Sequence, residues 1–429
     1  MNTEQLINKI IGKKSIVGIL GLGRVGLPLA TVFATKGIKV KGIEVNPKMV
    51  ESIKNSKCPF HDPPLQENLE KAIKLNNLQI IENINETDND IDIFIITVGT
   101  PVTADNSVDY SQLFSALEEI CKINLKEKMI IFRSTMPPKT TVDIIIPLIE
   151  NKTGLIAGKD FAIGVCPERI LEGKAIKEIF ELPEIIGGIN KDSDEIATQL
   201  FRTINPEKEF SYTSPSGAEL AKLFTNIYRY ISFALSNEFA IWAEIYGLDA
   251  TKLINIANYK YERSNVPVPG FVGGPCLSKD GTFLDNNTTF SSIVSAAWKL
   301  NESIPRHIVN NIKKISGNLF SKKIAVLGLS FKSGSDDLRS SPSVKLVELL
   351  KGLGSTVQIH DPHVKSTLSL SEALDSTDII IVATNHKEFK ENIVEINQCN
   401  ADIIYDVWSM FDNIDFPKMK YFRFGRGFN

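Results

Sequence analysis

The sequence has few cysteines, and none of them is paired by spacing. Its 429 residues contain five, an odd number, and no CxxC motif joins any two of them. They are Cys58, Cys121, Cys166, Cys276 and Cys399. A disulfide framework or a structural zinc site needs a denser and more regular pattern. We therefore expect reduced thiols, one of which is a candidate reactive group.

Long apolar runs and an excess of one charge are also missing. No apolar run approaches the roughly 20 residues of a membrane span. The opening "MNTEQLINKIIGKK" carries acid and amide side chains where a signal peptide has a basic start and an apolar centre. A net charge of -3 gives no basic surplus for nucleic acid or anionic lipid. We expect a cytoplasmic protein that binds neither nucleic acid nor membrane.

The chain is long enough for two or three domains, and it contains an internal repeat. Segments beginning at Lys13 and Lys322 share a basic pair, an apolar run, a glycine turn, a helical pattern, a second strand and an acid. Each predicts a βαβ unit. Between them, about 214–247 has helical spacing and almost no proline, which predicts a long helix.

These patterns predict an α/β fold with two doubly wound Rossmann-like domains joined by a central helical domain with a long helix. We place the domains at residues 1–205, 206–315 and 316–429.

A glycine-rich loop, "GLGRVG", lies between a predicted strand and a predicted helix. Such glycines allow a tight turn, a close approach of pyrophosphate to the backbone, and helix packing on the strand. Glu44 follows Gly26 by 18 residues, where it could bind the adenosine ribose and repel the 2′-phosphate of NADP. A glycine turn that binds nothing is the alternative. The loop therefore predicts an NAD site at Gly21, Gly23, Arg24, Val25, Gly26 and Glu44.

Polar turns follow two further apolar strands, in "IDIFIITVGTPV" and "MIIFRSTMPPKT". Ligands of doubly wound sheets gather at the carboxyl ends of strands. Thr100 and Thr135 are therefore candidates to contact the nicotinamide end of the cofactor or the substrate. Ordinary capping of the strand ends is the alternative for both threonines.

Lys222 and Asn226 lie four residues apart in the predicted long helix, which places them on one face. Their neighbours are apolar, so the pair could lie close to a buried surface. A solvated lysine on a helix edge is the alternative interpretation.

The segment "PGFVGGPCLSKDG" crowds a thiol, an amine and a carboxylate beside two glycines. The glycines would let a ligand approach Cys276, Lys279 would favour its thiolate, and Asp280 would supply a base. A small buried thiol in a glycine turn is the alternative. An NAD enzyme uses a thiol when an aldehyde is to be oxidised, because the thiohemiacetal can lose hydride and the resulting thioester can be hydrolysed.

Seven motifs in order resemble the UDP-glucose/GDP-mannose dehydrogenase family over nearly the whole chain. They are GLGRVGLPLA, VGTPV, FRSTMPPKT, CPERILEGKA, AELAKLFTN, PGFVGGPCLSKD and GLSFKSGSDDLRSSP. The resemblance implies a four-electron oxidation of a sugar nucleotide at C6, with two NAD used in turn. It also implies an N-terminal NAD-binding domain, a helical centre that forms a homodimer or larger homo-oligomer, and a C-terminal domain that binds the nucleotide of the UDP-sugar.

The same resemblance implies roles for individual residues. Cys276 would be the nucleophile, Lys222 and Asn226 would stabilise and hold the oxyanion, and Asp280 with Thr135 would position water. Glu168 would assist thioester hydrolysis beside Glu172, unless both are surface acids. The implied substrate-binding set is Glu168, Arg169, Lys222, Asn226, Arg263, Gly273, Lys332 and Arg339. An ion pair with Asp336 or Asp337 is the alternative for the last two cations.

The resemblance favours the branch that oxidises UDP-N-acetylhexosamines, and UDP-N-acetylmannosamine in particular, because Arg169 follows Pro-Glu where the glucose branch tends to have phenylalanine. UDP-glucose 6-dehydrogenase is the alternative, and a silent nucleotide-binding protein or a simpler hydroxyacid dehydrogenase are others. Gly281 and Trp408 depart from the family pattern. His360 and His363 have no accompanying ligand motif, so we predict no metal site.

Overall fold

The computed structural model describes residues 2–103, 107–285 and 292–427. The chain divides into two compact units, with the boundary between Thr225 and Asn226. The domain boundaries that we expect after residues 205 and 315 remain predictions.

The first unit is built on a sheet of eight strands. The strands are β1 (Ile16–Leu20), β2 (Lys39–Ile43), β3 (Leu78–Ile81), β4 (Ile93–Ile96), β5 (Met129–Phe132), β6 (Ala162–Val165), β7 (Glu184–Gly188) and β8 (Phe210–Tyr212). Their order is β3-β2-β1-β4-β5-β6-β7-β8, and only β6 and β7 pair antiparallel. The first six strands thus have the order of dinucleotide-binding sheets.

Helices and buried side chains cover both faces of this sheet. The helices are α1 (Thr3–Ile11), α2 (Gly26–Thr35), α3 (Pro47–Lys54), α4 (Pro63–Lys74), α5 (Ser111–Ile120), α6 (Ile146–Thr153), α7 (Ala175–Glu181) and α8 (Lys191–Arg202). A 3₁₀ turn covers Glu86–Asp90, and a π-helix covers Thr140–Ile145 just before α6. Strands β4 and β5 are buried throughout, as expected for a parallel strand covered on both faces.

The second unit contains a smaller parallel sheet. Its strands are β9 (Lys323–Leu327), β10 (Thr356–His360), β11 (Ile379–Val382), β12 (Ile403–Asp406) and β13 (Lys420–Arg423). They are ordered β10-β9-β11-β12-β13, the other common doubly wound arrangement.

The remaining helices include the predicted long one. They are α9 (Pro215–Ile245), α10 (Ala250–Asn258), α11 (Leu277–Asp280), α12 (Thr282–Asp285), α13 (Ser292–Ser316), α14 (Pro342–Gly352), α15 (Leu370–Leu374), α16 (Lys387–Glu391) and α17 (Ile393–Gln398). The α/β fold with two doubly wound sheets and a long helix between them is therefore confirmed. Within the described part of the chain, we find no helix long and apolar enough to cross a membrane.

The internal repeat also appears in the backbone. Gly21 follows β1 with φ +90° and donates its N–H to the carbonyl of Ile43 at 2.9 Å. Gly328 follows β9 with φ +93° and donates to the carbonyl of His360 at 2.7 Å. Both positions need glycine, since a left-handed conformation disfavours a β-carbon. Each doubly wound sheet thus turns out of its first strand in the same way.

Candidate active site

The three glycines of the loop after β1 serve three different purposes. Gly21 adopts the left-handed turn described above. A β-carbon on Gly26 would lie 1.9 Å from the carbonyl oxygen of Gly21, so only glycine lets α2 begin there. A β-carbon on Gly23 would meet nothing within 4 Å. The second glycine thus faces open space at the start of a helix, which suits a pyrophosphate.

Glu44 lies just beyond β2 and holds the glycine loop. Its carboxylate accepts the N–H of Leu22 at 2.9 Å and that of Asn46 at 2.9 Å. The side chain is buried. This is the position from which an acid can reach the ribose of a bound dinucleotide, so the residues present fit NAD.

Arg24, in the same loop, lies between an acid and an aromatic ring. Its guanidinium is 3.6 Å from the carboxylate of Glu172 and 4.7 Å from the ring centre of Phe60. The structure therefore brings Glu172 to the cofactor loop. Its catalytic role stays a prediction.

Thr100 and Thr135 come together where β4 and β5 end. The Thr100 hydroxyl donates to the carbonyl oxygen of Thr135 at 2.5 Å. Thr100 is buried, whereas Thr135 is half-buried. The contact is of the strand-end kind that we considered as the alternative, and it leaves the Thr135 side chain as the more accessible of the two.

Glu168 is a buried member of an ion-pair network. The guanidinium of Arg133 donates to Glu168 at 3.0 Å and to Glu184 at 2.9 Å. Lys208 lies 3.8 Å from Glu184. The other oxygen of Glu168 accepts the N–H of Ile170 at 3.0 Å. The interpretation of Glu168 as a surface acid is therefore wrong.

Two opposing effects act on the Glu168 carboxyl. Burial would raise its pKa, but the charge of Arg133 and the hydrogen bonds from that guanidinium and from two backbone N–H groups hold the pKa below its ordinary value. Glu168 is therefore a fixed carboxylate at neutral pH. Neighbouring Arg169 donates to the carbonyl of Pro183.

Lys222 and Asn226 are both buried on α9, so the alternative of a solvated lysine is wrong. Asn226 donates its side-chain amide to Asp280 at 2.6 Å, and Asp280 is fully buried. This contact within the second unit was not predicted, and the roles of Asn226 and Asp280 in the reaction stay predictions.

Cys276 is exposed and immediately precedes the short helix α11, so it is not a small buried thiol. Asp280 lies at the other end of that helix. The ammonium of Lys279 lies 3.7 Å from Asp280 and 4.6 Å from the ring centre of Phe283. An accessible thiol, an ammonium and a buried carboxylate therefore occupy one short segment.

The glycine pair before Cys276 is explained by packing inside the protein. A β-carbon on Gly273 would lie 2.4 Å from the ring of Pro342, and one on Gly274 would lie 2.7 Å from the ring of Phe331. Gly274 also has φ +94° and donates to the carbonyl of Ser340 at 3.2 Å. The structure thus accounts for both glycines without a ligand. What they do is seat the cysteine loop on the segment that follows β9.

Trp408, a departure from the family pattern, has a clear contact. Its ring would lie 2.6 Å from a β-carbon on Gly270, and its indole N–H donates to the carbonyl of Ala383 at 2.9 Å. The indole therefore covers the start of the same cysteine loop.

The three remaining cations of the predicted substrate set have different surroundings. Arg263 is exposed and its guanidinium lies 4.9 Å from the ring centre of Tyr261. Lys332 lies 5.7 Å from the ring centre of Phe331. Arg339 pairs with Asp337, to which its Nε donates at 3.0 Å. For Arg339 the ion pair that we considered as the alternative is the one observed.

His363 does lie near other candidate ligands. His363, His386 and Glu388 offer ligand atoms within 4.8 Å of one another. His386 is engaged at both nitrogens, since Nδ1 accepts from Gly334 at 3.2 Å and Nε2 lies 3.1 Å from Asp361. These contacts give His386 a structural role, and the absence of a metal site stays a prediction.

The acid after β10 explains why the two doubly wound units differ. Asp361 accepts the N–H of Leu329 at 2.7 Å, as Glu44 does for Leu22. Burial would raise the pKa of Asp361, yet His386 and two backbone N–H groups hold that pKa far below its ordinary value. Because His386 covers it, the acid is not presented to a ribose as Glu44 is.

The ion-pair network of Arg133 and the pair of Asp361 with His386 were missed by sequence reasoning. Arg133 follows β5 directly in the quoted "FRST", which is the one signal that could have marked it. Its partner carboxylates lie 35 and 51 positions away, and no local pattern connects them.

The open glycine loop on a sheet of the 3-2-1-4-5-6 order defines an NAD-dependent dehydrogenase. Comparison with protein families makes the assignment specific. Residues 15–205 match the NAD binding domain of the UDP-glucose/GDP-mannose dehydrogenase family, 216–304 its central domain and 325–413 its UDP binding domain. The chain belongs to this family, and the third match supports a UDP-sugar as its substrate.

Relatives cover most of the chain. It is 33% identical to UDP-N-acetyl-D-mannosamine dehydrogenase of Pyrococcus horikoshii, over 87% of this chain and 90% of that protein. It is 36% identical to the enzyme of the same name from Methanococcus maripaludis, over 87% and 86%. The solved structure of the Pyrococcus horikoshii protein covers 96% of this chain and 99% of its own, with 31% identity and a TM-score of 0.88. The solved structure of UDP-N-acetyl-mannosamine dehydrogenase from Staphylococcus aureus covers 96% of this chain and 98% of its own, with 31% identity and a TM-score of 0.86.

Proposed function

We propose that this protein oxidises C6 of UDP-N-acetylmannosamine to the carboxylic acid in two NAD-dependent steps through a covalent intermediate on Cys276. The observation that carries the proposal is the exposed thiol of Cys276, four residues before a buried Asp280 that Asn226 holds at 2.6 Å. A simple alcohol dehydrogenase has no use for that thiol.

The first oxidation takes the C6 alcohol to the aldehyde. The glycine loop would hold NAD, which supplies a hydride acceptor when bound; one NAD would be consumed in this oxidation and a second NAD, bound in its turn, in the next. The hydroxyl proton leaves to solvent through a base. Lys222 is buried on α9, and its ammonium would stabilise the developing negative charge on the C6 oxygen.

The second oxidation uses the thiol. The sulfur of Cys276 adds to the aldehyde carbon and its proton passes to the oxygen, which gives a thiohemiacetal. Loss of hydride from that carbon and of the hydroxyl proton gives a thioester. Asn226 would hold the oxygen of this group with its amide.

Water then cleaves the thioester. Its oxygen bonds to the acyl carbon, the carbon–sulfur bond breaks, and carboxylate, thiol and a proton are released. Asp280 is suited to orient the water, because Asn226 and Lys279 fix the carboxylate from two sides. The family resemblance gives Thr135 and Glu168 a part in the same step. The fixed carboxylate of Glu168 suits a hydrogen-bond acceptor rather than an acid.

The choice of sugar rests on the relatives. Those named above are UDP-N-acetylmannosamine dehydrogenases, and the chain covers 86% or more of each. One N–H of the Arg169 guanidinium donates to the carbonyl of Pro183, and its other N–H groups would recognise the N-acetyl group of the sugar. The product would be a uronic acid precursor for a surface polysaccharide, made in the cytoplasm, where NAD is supplied.

A panel of sugar nucleotides tests the substrate. We would supply NAD with UDP-N-acetylmannosamine, UDP-N-acetylglucosamine, its galacto epimer, UDP-glucose and GDP-mannose, and follow NADH release. We expect the highest kcat/KM with UDP-N-acetylmannosamine and poor turnover of UDP-glucose. The highest kcat/KM with UDP-glucose would overturn the choice of sugar, and no NADH with any member would favour a silent protein.

We also propose that the protein is a homodimer, as the family resemblance implies. An apolar groove of about 290 Å³ in the second unit is lined by residues of α9, of α10 and of the turn between them, among them Trp242, Tyr246 and Leu253. Ile245 and Ile256 are 71% and 72% exposed. Such a patch is expensive to leave in water, which favours a second copy as its cover. One chain has a mass of 47.6 kDa, and light scattering should give twice that mass. A monomer at micromolar concentration would contradict the proposed dimer.

A further inference from the structure

Glu219 lies three residues before Lys222 on α9. No step of the proposed reaction involves Glu219. Its side chain retains 2% exposure, although a carboxylate is costly to bury. A glutamate in such a place needs partners that repay its desolvation, and all three partners of Glu219 lie on one loop.

That loop follows Thr135. The carboxylate oxygen Oε2 of Glu219 accepts the N–H of Lys139 at 2.7 Å, while Oε1 accepts the N–H of Thr141 at 2.9 Å and its hydroxyl at 2.6 Å. All three partners are therefore donors. An ionised carboxylate is the form that can accept from all of them.

Within the loop, the carbonyl of Pro137 accepts the N–H of Thr140 at 3.2 Å and its hydroxyl at 2.8 Å, but these bonds do not join the loop to α9. Pro137 and Pro138 have no N–H to give, and Lys139 adopts φ +72°, an unfavourable conformation for a residue with a β-carbon. Thr140 begins the π-helix, whose first N–H groups have no partner within the helix. Glu219 supplies the acceptors that this start of a helix needs.

The loop is thus pinned at two points. At its start, the carbonyl of Thr135 accepts the hydroxyl of Thr100. At its end, Glu219 ties Lys139 and Thr141 to the helix that carries Lys222. The proposed function gives Thr135 a role in thioester hydrolysis. The position of the loop therefore matters to the reaction.

Resting on the function proposed above, we propose that Glu219 is a positioning residue: its carboxylate holds the loop of residues 135–141 against α9, and proton uptake by Glu219 loosens that loop. A protonated Glu219 would point its own O–H hydrogen toward groups that are themselves donors. The hydrogen bonds that Glu219 accepts from Lys139 and Thr141 would therefore weaken. The loop is then held firmly above neutral pH and loosely below it.

The electrostatics agree with this geometry. Burial raises the pKa of Glu219 to about 7, even though the hydrogen bonds from Thr141 and Lys139 lower it. Asp143 on the π-helix raises the pKa of Glu219 further. Tyr110, which hydrogen-bonds Thr140 at 3.1 Å, is the other titratable neighbour, and burial raises the pKa of its hydroxyl away from the neutral range. The change in loop order is therefore expected in the range where many enzymes work.

Amide hydrogen exchange tests the tether without any substrate. Peptides containing Lys139 and Thr141 would be followed in the wild type, in Glu219→Gln and in Glu195→Gln, where Glu195 is exposed on α8. After correction for the intrinsic pH effect, we expect these peptides to exchange about tenfold faster in Glu219→Gln than in the wild type at pH 8. The Glu195→Gln control should exchange at the wild-type rate. Protection in the wild type should fall from pH 8 to pH 6, and that of Glu219→Gln should stay flat. Equal exchange in the wild type and Glu219→Gln would overturn the proposal.

Kinetics test whether the tether matters to the reaction. With the sugar nucleotide that releases most NADH, we expect Glu219→Gln to lower kcat about tenfold while both KM values stay within about twofold. The rise of kcat through pH 7 should disappear in this variant. Thr141→Val removes one donor and should lower kcat in part, whereas Thr141→Ser keeps the hydroxyl and should restore it.

An effect of Glu219→Gln on KM alone, or an unchanged pH profile, would refute the positioning role. If no sugar nucleotide in the panel released NADH, the proposed function would fail, while the exchange experiment would still decide the tether. The two failures are therefore distinguishable.

Discussion

The side-chain amide of Asn226 donates to the carboxylate of Asp280 at 2.6 Å, between a residue of the long helix α9 and the last residue of α11. Both side chains are buried. The contact fixes an acid at a set position four residues beyond the exposed thiol of Cys276. The amide adds no second charge beside this carboxylate.

Replacing the amide by a second acid should disturb this pair. In Asn226→Asp, two buried carboxyls would lie side by side, and they would share a proton because like charges at this distance cannot both ionise. The folded protein would then bind more protons than the unfolded chain. Its thermal stability relative to wild type should fall as pH rises from 5 to 8.

Differential scanning calorimetry across that pH range measures the difference. Asn226→Ala, which leaves only one carboxyl, is the matched control and should show no such slope. Parallel pH dependence of the wild type and Asn226→Asp would mean that Asp280 is not held as described.

The thiol should be indispensable for forming the acid. In Cys276→Ser, an ester-forming hydroxyl is a poorer nucleophile and a poorer leaving group, so we expect no net acid while NAD and the sugar nucleotide still bind. Cys399→Ser is a suitable control, because its hydroxyl can still donate to the carbonyl of Leu374 as the thiol does. Near-normal acid formation in Cys276→Ser would rule out the covalent route.

The second and third glycines of the loop, Gly23 and Gly26, should respond differently to one added methyl group. Gly23→Ala points its β-carbon into open space, so it should change the free energy of unfolding by no more than about 0.5 kcal/mol while weakening NAD binding about tenfold or more. Gly26→Ala would place its β-carbon 1.9 Å from the carbonyl oxygen of Gly21 and should destabilise the fold itself. Chemical denaturation and NAD titration separate the two. Equal NAD affinity in Gly23→Ala and wild type would contradict the placement of the pyrophosphate.

NAD should be strongly preferred over NADP. Glu44 is buried beside the glycine loop, where its carboxylate would repel a 2′-phosphate. We expect kcat/KM to be at least about 100-fold higher with NAD. Similar values for the two cofactors would show that Glu44 does not face the ribose.

The fold and the cofactor loop could be predicted from sequence because their signals are local. The spacing of Gly21, Gly23 and Gly26 follows from a turn, a ligand and a helix within one short segment. The long helix α9 was predicted from apolar spacing and the near absence of proline, and it ends within two residues of the expected limit.

What could not be predicted depends on partners far along the chain. Gly273 and Gly274 were interpreted as room for a ligand, yet their contacts are Pro342 and Phe331, which sequence spacing does not reveal. Glu168 was placed correctly in a motif, but its partner Arg133 is 35 positions away. Glu219 and its loop are 78 positions apart, so its burial had no local signal.

The stoichiometry of the reaction tests whether C6 is oxidised twice, from the alcohol to the carboxylic acid. Limiting UDP-N-acetylmannosamine would be exhausted with excess NAD, NADH counted by absorbance, and the product analysed by mass spectrometry. We expect two NADH for each sugar nucleotide and a product with one more oxygen and two fewer hydrogens at C6. One NADH for each sugar with an aldehyde as the product, or no NADH at all, would contradict it.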